Sequence, residues 1–349
     1  MRRALVAAAA ALAAVLPGAP IATAASPAPW TYAVIGDTPY GQPQVDNFAN
    51  DVAQINADRK VKLVVHLGDI KNGSSRCDTT YFQQIRANFG AFRDPLVYTP
   101  GDNEWTDCHR ANNGGYIPTE RLDTIRRIFF DQPGQALGKH QKTLDHQAAP
   151  YVENVRWARE DVQFATLNVT GSNNDWAPWF GVLPRTQAQV DEFTARNAAD
   201  LAWLDHVFAV ATKRHSKAIV IGIQADMWDA AFSGANDDPT QYDHFTDLVR
   251  KLADASRAFG KPVLLLNGDS HAFTDDFPLA DPTRAFQKTM YGVTQDVPNL
   301  RRVTVNGSTT PCHEYLRLNV DQSAAGVFSV ERVPFHGQPG FDPAVCPAS

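Results

Sequence analysis

The feature that most constrains the fold is an alternation of short apolar, β-branched runs with longer helical patterns. The apolar runs are bounded by Gly, Pro or Asn, as is typical of buried strands. They lie at Tyr32 to Ile35, Val61 to Leu67, Leu96 to Tyr98, Val162 to Leu167, Ala218 to Ile223 and Val263 to Leu266. The helical patterns lie at Val45 to Asn56, Tyr81 to Phe92, Thr119 to Phe130, Arg185 to Ala211 and Tyr242 to Phe259. This alternation predicts a layered α/β fold.

The pattern changes after Asp275, where strand-like segments follow one another without a long helix. They lie near Arg302 to Val305, Tyr315 to Val320 and Gly326 to Val333. We expect them to complete a second sheet or its edge. Because no linker rich in Pro, Gly or Ser divides the chain, we predict a single domain over residues 26–349.

Four predicted strands are followed by the same dipeptide, Gly-Asp. The pairs are Gly36-Asp37, Gly68-Asp69, Gly101-Asp102 and Gly268-Asp269. In open α/β sheets, ligand sites lie at the carboxyl ends of the strands, and glycine lets the chain turn sharply there. Four converging carboxylates would raise one another's pKa values. Bound cations would remove that conflict, so the repetition favours a metal site.

A plainer interpretation of the same residues is that each Gly-Asp pair forms an independent turn or helix cap, since both roles are common for aspartate. Any single pair is better explained in that way. Four pairs in sequence order, each after a buried strand, are better explained by a shared site.

These ordered motifs resemble the signature of the calcineurin-like metallophosphoesterases, which reads DxH, GD, GNH followed by Asp or Glu, a lone His, and GHxH. The counterparts, over roughly residues 31 to 275, are Gly36-Asp37-Thr38-Pro39, Gly68-Asp69, Gly101-Asp102-Asn103-Glu104, Gln224 and Gly268-Asp269-Ser270-His271. The chain departs from the signature at Pro39, Asp102, Asn103, Gln224 and Asp269. The resemblance implies an α/β fold in which a layered β-sandwich is flanked by helices, giving four layers in the order αββα.

The resemblance also implies a set of metal ligands. One metal would be held by Asp37 and His271, and Asp69 would bridge to a second metal. The second would be completed by Asp102 and Asp269, with Gln224 as a possible neutral oxygen ligand. Because this set is rich in oxygen and poor in imidazole, we expect two divalent ions, with Mn²⁺, Mg²⁺ or Ca²⁺ favoured over Zn²⁺ or Fe. For His271, a buried structural role is the alternative.

The reaction that the resemblance implies is hydrolysis of a phosphomonoester or phosphodiester by a hydroxide that bridges the two metals. Asn103 stands where the family has a catalytic histidine, and an amide cannot act as a general acid, a role typically worth about 10² to 10⁴ in rate. We therefore expect slow turnover or a preference for good leaving groups, unless His109 or Glu104 takes over proton transfer. For Glu104, solvent exposure or pairing with an arginine is equally plausible.

Two other functions remain open at this point. One is a secreted metal- or ligand-binding protein that keeps the fold with weakened or lost catalysis, as the five departures suggest. The other is a phosphate-binding or surface-interaction module in which the carboxylates only cap strand ends.

The first 25 residues have the pattern of a signal peptide. Arg2 and Arg3 precede an apolar run to Leu16, and Ala22-Thr23-Ala24 matches a signal peptidase site. The run is roughly half the ~20 residues that a membrane span needs. We therefore expect a secreted or periplasmic protein with no membrane association after cleavage.

The acidic charge balance bears on the partners. The formal net charge is -6, and removal of Arg2 and Arg3 would make it -8. This balance argues against a nucleic-acid polymer as the main partner. We expect a small phosphorylated substrate, which metal cations would attract.

Four cysteines in an exported chain predict two disulfides, and zinc ligation is disfavoured because CxxC spacing is absent. We prefer the pairs Cys77–Cys108 and Cys312–Cys346, because the first two cysteines follow neighbouring strand ends.

Aromatic and histidine side chains elsewhere have plainer interpretations. We expect His66 to be a core residue, and Trp105 and Trp228 either wall a substrate pocket or belong to the core. The remaining candidates lack ligand spacing and are expected to have no role: His140, His146, His206, His215 and His244.

Overall fold

The computed structural model describes residues 28–228, 239–282 and 285–346. The predicted signal peptide, residues 1–25, lies outside these ranges. Within them, none of the helices is long and apolar enough to traverse a membrane.

The first sheet has five strands: β1 (Trp30–Ile35), β2 (Val61–His66), β3 (Leu96–Tyr98), β11 (Glu314–Val320) and β12 (Phe328–Pro334). Their order is β12-β11-β1-β2-β3. Strands β1, β2 and β3 are parallel, whereas β11 runs antiparallel to both β1 and β12. The carboxyl ends of β1, β2 and β3 therefore lie at one edge of the sheet.

The second sheet has seven strands: β4 (Asp145–His146), β5 (Val155–Arg159), β6 (Val162–Thr166), β7 (Ala218–Gly222), β8 (Val263–Asn267), β9 (Thr274–Asp276) and β10 (Leu300–Thr304). Their order is β4-β5-β6-β7-β8-β10-β9. The four central strands, β6, β7, β8 and β10, are parallel.

The main helices cover the outer faces of the sheets: α1 (Gly41–Ala57), α2 (Thr79–Phe89), α3 (Pro118–Phe129), α5 (Gln187–Lys213) and α6 (Thr246–Phe259). Two short segments, α4 (Gly171–Asp175) and α7 (Ala285–Thr289), complete the helical elements with several 3₁₀ turns. One apolar core lies between the two sheets, a second between the first sheet and α1 to α3, and a third between the second sheet and α5 and α6. The fold is thus the predicted four-layer αββα arrangement.

The predicted strands and helices are all present, with ends that differ by a few residues. The C-terminal segments are divided between the sheets, because β10 pairs with β8 whereas β11 pairs with β1. Sequence patterns did not reveal β4, β5 and β9. The strand β5 carries Arg156 and Arg159 among its five residues, so it lacks the uninterrupted apolar run that identified the other strands.

Both predicted disulfides are present. Cys77 pairs with Cys108, with 5.8 Å between their Cα atoms. Cys312 pairs with Cys346, with 4.9 Å between the Cα atoms. The first bridge ties together the loops that follow β2 and β3, and the second ties the loop before β11 to the C-terminal segment.

Candidate metal centre

Strand ends from both sheets meet at one place. Asp37, Asp69 and Asp102 follow β1, β2 and β3 of the first sheet, and Asp269 follows β8 of the second. Asp37, Asp69 and Asp102 are buried and Asp269 is partly buried, and surrounding N–H groups donate hydrogen bonds to their carboxylates. The backbone N–H of Asp269, for example, donates to Asp37 Oδ1 over 2.9 Å. The convergence that the four Gly-Asp pairs predicted is therefore present.

The first cluster, called site A, consists of Asp37, Asp69 and His271, whose possible ligand atoms all lie within 4.8 Å of one another. His271 Nε2 is 3.3 Å from Asp37 Oδ1. His271 Nδ1 contacts the hydroxyl of Thr309. This contact occupies one ring nitrogen and leaves the other facing the carboxylates.

The second cluster, called site B, consists of Asp69, Asp102 and Asp269, again with ligand atoms within 4.8 Å of one another. Asp69 belongs to both clusters. A carboxylate has two oxygens, so one side chain can serve two adjacent cations. The donor set of three oxygens in site B, and of two oxygens and one imidazole in site A, suits hard divalent cations.

The backbone is bent to bring these groups together. Asp37, Asp69, Asp269 and His271 have φ angles of 51°, 56°, 76° and 62°, in the left-handed region that side chains rarely adopt. Such strain persists only where surrounding structure enforces it, and it is concentrated at functional sites.

Glycine allows the backbone to approach the carboxylates closely. A Cβ atom on Gly268 would lie 2.2 Å from Asp37 Oδ2. The space next to the carboxylates therefore exists only because this residue has no side chain.

Burial and mutual repulsion shape the electrostatics of the centre. Burial, followed by repulsion from Asp102, raises the pKa of Asp69 and of Asp269 well above its ordinary value. Burial likewise raises the pKa of Asp37. A carboxylate in this position is costly to ionise without a compensating positive charge. The residues thus fit divalent cations, which would supply that charge.

Gln224 lies at the centre, but its amide has a different orientation from that of a metal ligand. Its Nε2 lies 3.1 Å from both Asp102 Oδ1 and Asp269 Oδ1, whereas its Oε1 accepts a hydrogen bond from the Gly171 N–H over 2.6 Å. The Gly171 donor fixes the orientation, because a flipped amide would place two donors face to face. Gln224 therefore presents an amide N–H to the carboxylates, and in this arrangement its oxygen does not face the centre, where the predicted metal ligand would have to lie.

Asn103 reaches the centre. Its Nδ2 donates to Asp69 Oδ2 and lies 3.1 Å from the hydroxyl of Tyr40. Its backbone N–H donates to Asp69 Oδ1 over 3.1 Å. These bonds hold the shared carboxylate in place.

Glu104 lies behind the centre and is fully buried. Its Oε1 accepts hydrogen bonds from the N–H groups of Asp69 and Gly101 and from the hydroxyl of Tyr98, over 3.1, 2.6 and 2.7 Å. It is not exposed, and no ion pair joins it to an arginine in the part of the chain that the structure describes. Glu104 therefore holds the loops after β2 and β3 in position, and it is not placed to transfer a proton to a substrate.

His109 is directed towards the surface loop after β6. Its Nδ1 accepts from the Phe180 N–H over 3.0 Å, and the two rings lie 5.5 Å apart. The structure does not bring His109 into either cluster, so it offers no obvious replacement for the missing family histidine.

A cavity of about 560 Å³ opens beside site B. Its lining includes Asp269, Asp226, Ser172, Arg110 and Arg185. The two arginines give this acidic centre a positively charged wall.

The rim of the cavity is formed by the polar loop after β6. Ser172, Asn173 and Asn174 in α4 have left-handed φ and ψ angles, so this short turn is not an ordinary α-helix. The loop's Trp176 lines the cavity, whereas Trp105 and Trp228 are buried outside its lining. Both of these tryptophans therefore belong to the core.

Sequence reasoning missed several groups at the centre. Tyr40 contacts Asp69 and His271 through its hydroxyl. Lys71 is fully buried and donates to the Asn103 carbonyl over 2.7 Å, and burial lowers its pKa to about 8. Closeness in sequence to the motif aspartates could have identified them, because Tyr40 follows Asp37 by three positions and Lys71 follows Asp69 by two.

Sequence reasoning also missed Asp226, although it lies only two residues after Gln224. Its carboxylate pairs with Arg302 over 2.6 Å, and its N–H donates to Asp269 Oδ2 over 3.1 Å. It therefore helps to hold the Asp269 carboxylate in place.

Two other histidines, His66 and His244, contact groups outside the two clusters. His66 is fully buried in the strand β2, where Nε2 contacts the Thr38 carbonyl over 2.8 Å. His244 stacks on Trp176 with 4.1 Å between ring centroids.

Comparison with known proteins agrees with this architecture. The family model of the calcineurin-like phosphoesterases matches residues 31–204. The match includes the first three aspartate motifs and ends before Gln224 and the Gly268 to His271 motif. No curated protein sequence matches the chain.

Two solved structures are among those that the chain matches. One is GAP50, the anchor in the inner membrane complex of Plasmodium, with 12% identity and a TM-score of 0.45, over 91% of this chain and 92% of that one. The other is the purple acid phosphatase PPD1 from yellow lupin (Lupinus luteus) seeds, with 10% identity and a TM-score of 0.43, over 92% of this chain. The chain spans only 57% of the length of the lupin protein. From its matched family model and its four-layer fold, the chain belongs to the calcineurin-like metallophosphoesterase superfamily.

Proposed function

We propose that this protein hydrolyses phosphate esters with the help of two divalent cations, one at site A and one at site B. The observation that carries the proposal is the presence of Asp69 in both clusters. Two cations that share a carboxylate supply Lewis acidity and activate water for attack on phosphorus. Mn²⁺, Mg²⁺ or Ca²⁺ suits the oxygen-rich donors better than Zn²⁺ or Fe.

The chain's own residues would hold and orient the substrate. Arg110 lines the cavity beside Asp269, and its guanidinium pairs with Asp107 over 2.7 Å while 44% of its side chain stays exposed. It can therefore still donate to a phosphate oxygen. Arg185 also lines the cavity, where it donates to the Trp176 carbonyl over 2.6 Å through Nε and lies over the Trp176 ring at 4.5 Å.

The leaving group would receive little help from the protein. The Asn103 amide is bonded to Asp69 and Tyr40 and carries no acidic proton, and Glu104 is enclosed behind the strand ends. Without a general acid, cleavage depends on the stability of the departing oxyanion. We therefore expect the protein to prefer esters of acidic alcohols or phenols.

The test is a substrate panel with each cation. The protein, treated with chelator and reloaded with Mn²⁺, Mg²⁺ or Ca²⁺, is assayed with p-nitrophenyl phosphate, bis-p-nitrophenyl phosphate and a simple alkyl phosphate. Cation-dependent release of p-nitrophenol, with much slower cleavage of the alkyl ester and loss in Asp69→Asn, is the expected result. Absence of cation-dependent turnover with all three esters would overturn the proposal.

A second candidate is a binding protein that retains the cations without catalysis. The observation in its favour is that the position of the family's catalytic histidine is occupied by Asn103, whose amide donates to Asp69 and to the Tyr40 hydroxyl. Tight cation binding, with ester hydrolysis no faster than in buffer, would establish this alternative.

We also propose that the mature protein acts outside the cytoplasm, in an extracellular or periplasmic compartment. Two disulfides support this, because such bridges persist in oxidising compartments. Determining the N-terminal sequence of protein exported by a bacterial host tests the proposal, since cleavage after Ala24 or nearby is expected. Retention of the intact N-terminus in the cytoplasm would contradict it.

A further inference from the structure

The cavity beside site B contains a positive charge without a compensating negative one. Among the described residues that line it, four have charged side chains: Arg110, Arg185, Asp226 and Asp269. Arg110 pairs with Asp107 over 2.7 Å. Asp226 pairs with Arg302 over 2.6 Å. Asp269 belongs to site B, where a cation would compensate its charge. Arg185 is the fourth.

Arg185 has donors that no other group uses. In the part of the chain that the structure describes, no carboxylate pairs with it, and its hydrogen bond runs from Nε to the Trp176 carbonyl over 2.6 Å. The donors of both terminal nitrogens therefore remain for a ligand. A guanidinium presents them as a planar fork that matches two oxygens of an anionic group. Because the residue is only partly buried, a ligand in the cavity can reach it.

The guanidinium of Arg185 is also held in place. It lies over the Trp176 ring, 4.5 Å from the ring centroid, where the electron-rich face attracts a cation. The Trp176 ring in turn stacks with His244, with 4.1 Å between the ring centroids. Because these contacts order the arginine before a ligand arrives, binding would lose little side-chain entropy.

The other walls of the cavity indicate what lies between the two charged ends of a ligand. Its volume of about 560 Å³ is within the range of about 300 to 1,000 Å³ that is usual for small-molecule sites. Trp176, Tyr242 and Phe245 give it aromatic walls. A phosphate at site B would meet the cations and Arg110, so a ligand with no other anionic group would leave the charge of Arg185 uncompensated.

We propose that the substrate is a phosphate ester whose alcohol portion carries a second anionic group, and that Arg185 binds this group. The inference rests on the proposed function and names its substrate class. The phosphate lies at the cations beside Arg110, the body of the alcohol lies along the aromatic walls, and the second anionic group accepts hydrogen bonds from the terminal nitrogens of Arg185. Arg185 is thus a specificity-determining residue.

The experiment uses esters that differ in one charge. The substrates meta- and para-carboxyphenyl phosphate are each compared with the corresponding carboxamide, which has nearly the same shape, and the ratio of kcat/KM for acid over amide is measured with Mn²⁺-loaded protein. Calorimetry measures the same ratio for binding of the matching carboxybenzyl and carbamoylbenzyl phosphonates, which cannot be hydrolysed.

Three variants accompany the wild-type protein: Arg185→Gln, Arg185→Lys and the matched control Arg214→Gln. Arg214 is an exposed arginine at the end of α5, outside the lining of this cavity. Arg185→Lys keeps the charge but loses the planar fork, so it separates general attraction from the geometry of the guanidinium.

The wild-type protein should prefer at least one of the two acids by about tenfold, as a hydrogen bond to a charged group can supply. The ratio should fall to about one in Arg185→Gln, stay partly raised in Arg185→Lys and keep its full value in Arg214→Gln. If Arg185→Gln fails to fold, the wild-type ratios still test the proposal.

The results that would overturn the proposal differ in what else they overturn. Hydrolysis of all four esters with ratios near one, or a preference that Arg185→Gln keeps in full, would show that Arg185 only holds the Trp176 loop, and the proposed hydrolysis would stand. A preference in phosphonate binding without turnover of any ester would support the role of Arg185 and overturn the hydrolysis. Absence of both turnover and phosphonate binding would overturn the two together.

Discussion

Replacing Asp69 by Asn should remove most of the stability that the protein gains from divalent cations, because this carboxylate belongs to both clusters. A cation present at 100 times its dissociation constant stabilises the folded state by about 2.7 kcal/mol per site. Two occupied sites would contribute about 5 kcal/mol. At about 2 °C per kcal/mol for a domain of this size, the wild-type melting temperature should rise by about 10 °C.

The structure also predicts the response of two comparison variants. Asp102→Asn changes site B and leaves the three side chains of site A intact, so its melting temperature should rise by about 5 °C. Asp69→Asn impairs both sites, so cations should raise its melting temperature by less than about 2 °C. Asp46→Asn, which replaces an exposed carboxylate on α1 that belongs to neither cluster, should keep the full rise in melting temperature.

The assay is thermal unfolding followed by circular dichroism. Each protein is compared with its own chelator-treated form, so any effect of the substitution on the cation-free fold cancels. A wild-type rise that Asp69→Asn retains in full would refute the shared role of this carboxylate. So would an equal reduction in Asp69→Asn and Asp102→Asn, since only the former residue belongs to both clusters.

Two further predictions concern the surroundings of the centre. Gly268→Ala should reduce the cation-induced rise in melting temperature by about half, because its Cβ would lie 2.2 Å from Asp37 Oδ2. The control Gly326→Ala, whose Cβ would meet no atom within 4 Å, should leave the rise unchanged. Equal rises in the two variants would contradict this prediction. Burial lowers the pKa of His66 to about 4, below the ordinary value of about 6.5. As the pH falls, the His66 imidazole is therefore protonated in the unfolded chain before it is protonated in the folded protein. The resulting loss of stability, at most about 3 kcal/mol, should develop between about pH 6.5 and 4. It should be absent from His66→Gln, whose amide can still donate to the Thr38 carbonyl. Chemical denaturation across this pH range measures the difference, and parallel curves of stability against pH for the two proteins would contradict the prediction.

Much of the fold was readable from local sequence. Buried parallel strands are continuous apolar runs, so β1, β2, β3, β6, β7 and β8 were identifiable before any contact was known. The repeated Gly-Asp pairs marked the ends of four of them. Because parallel strands of one sheet place their carboxyl ends at a common edge, strand position alone predicted that Asp37, Asp69 and Asp102 would meet.

The sequence did not determine which atoms face the centre. Gln224 was expected to offer an oxygen, but the N–H of Gly171, from a loop 53 residues away, turns its amide nitrogen towards the carboxylates. The place of Tyr40 is equally dependent on distant residues, since its hydroxyl contacts His271 across 231 positions. Local patterns determine strands and turns because those depend on neighbouring residues, whereas the orientation of a polar side chain is decided by partners that only the folded chain brings together.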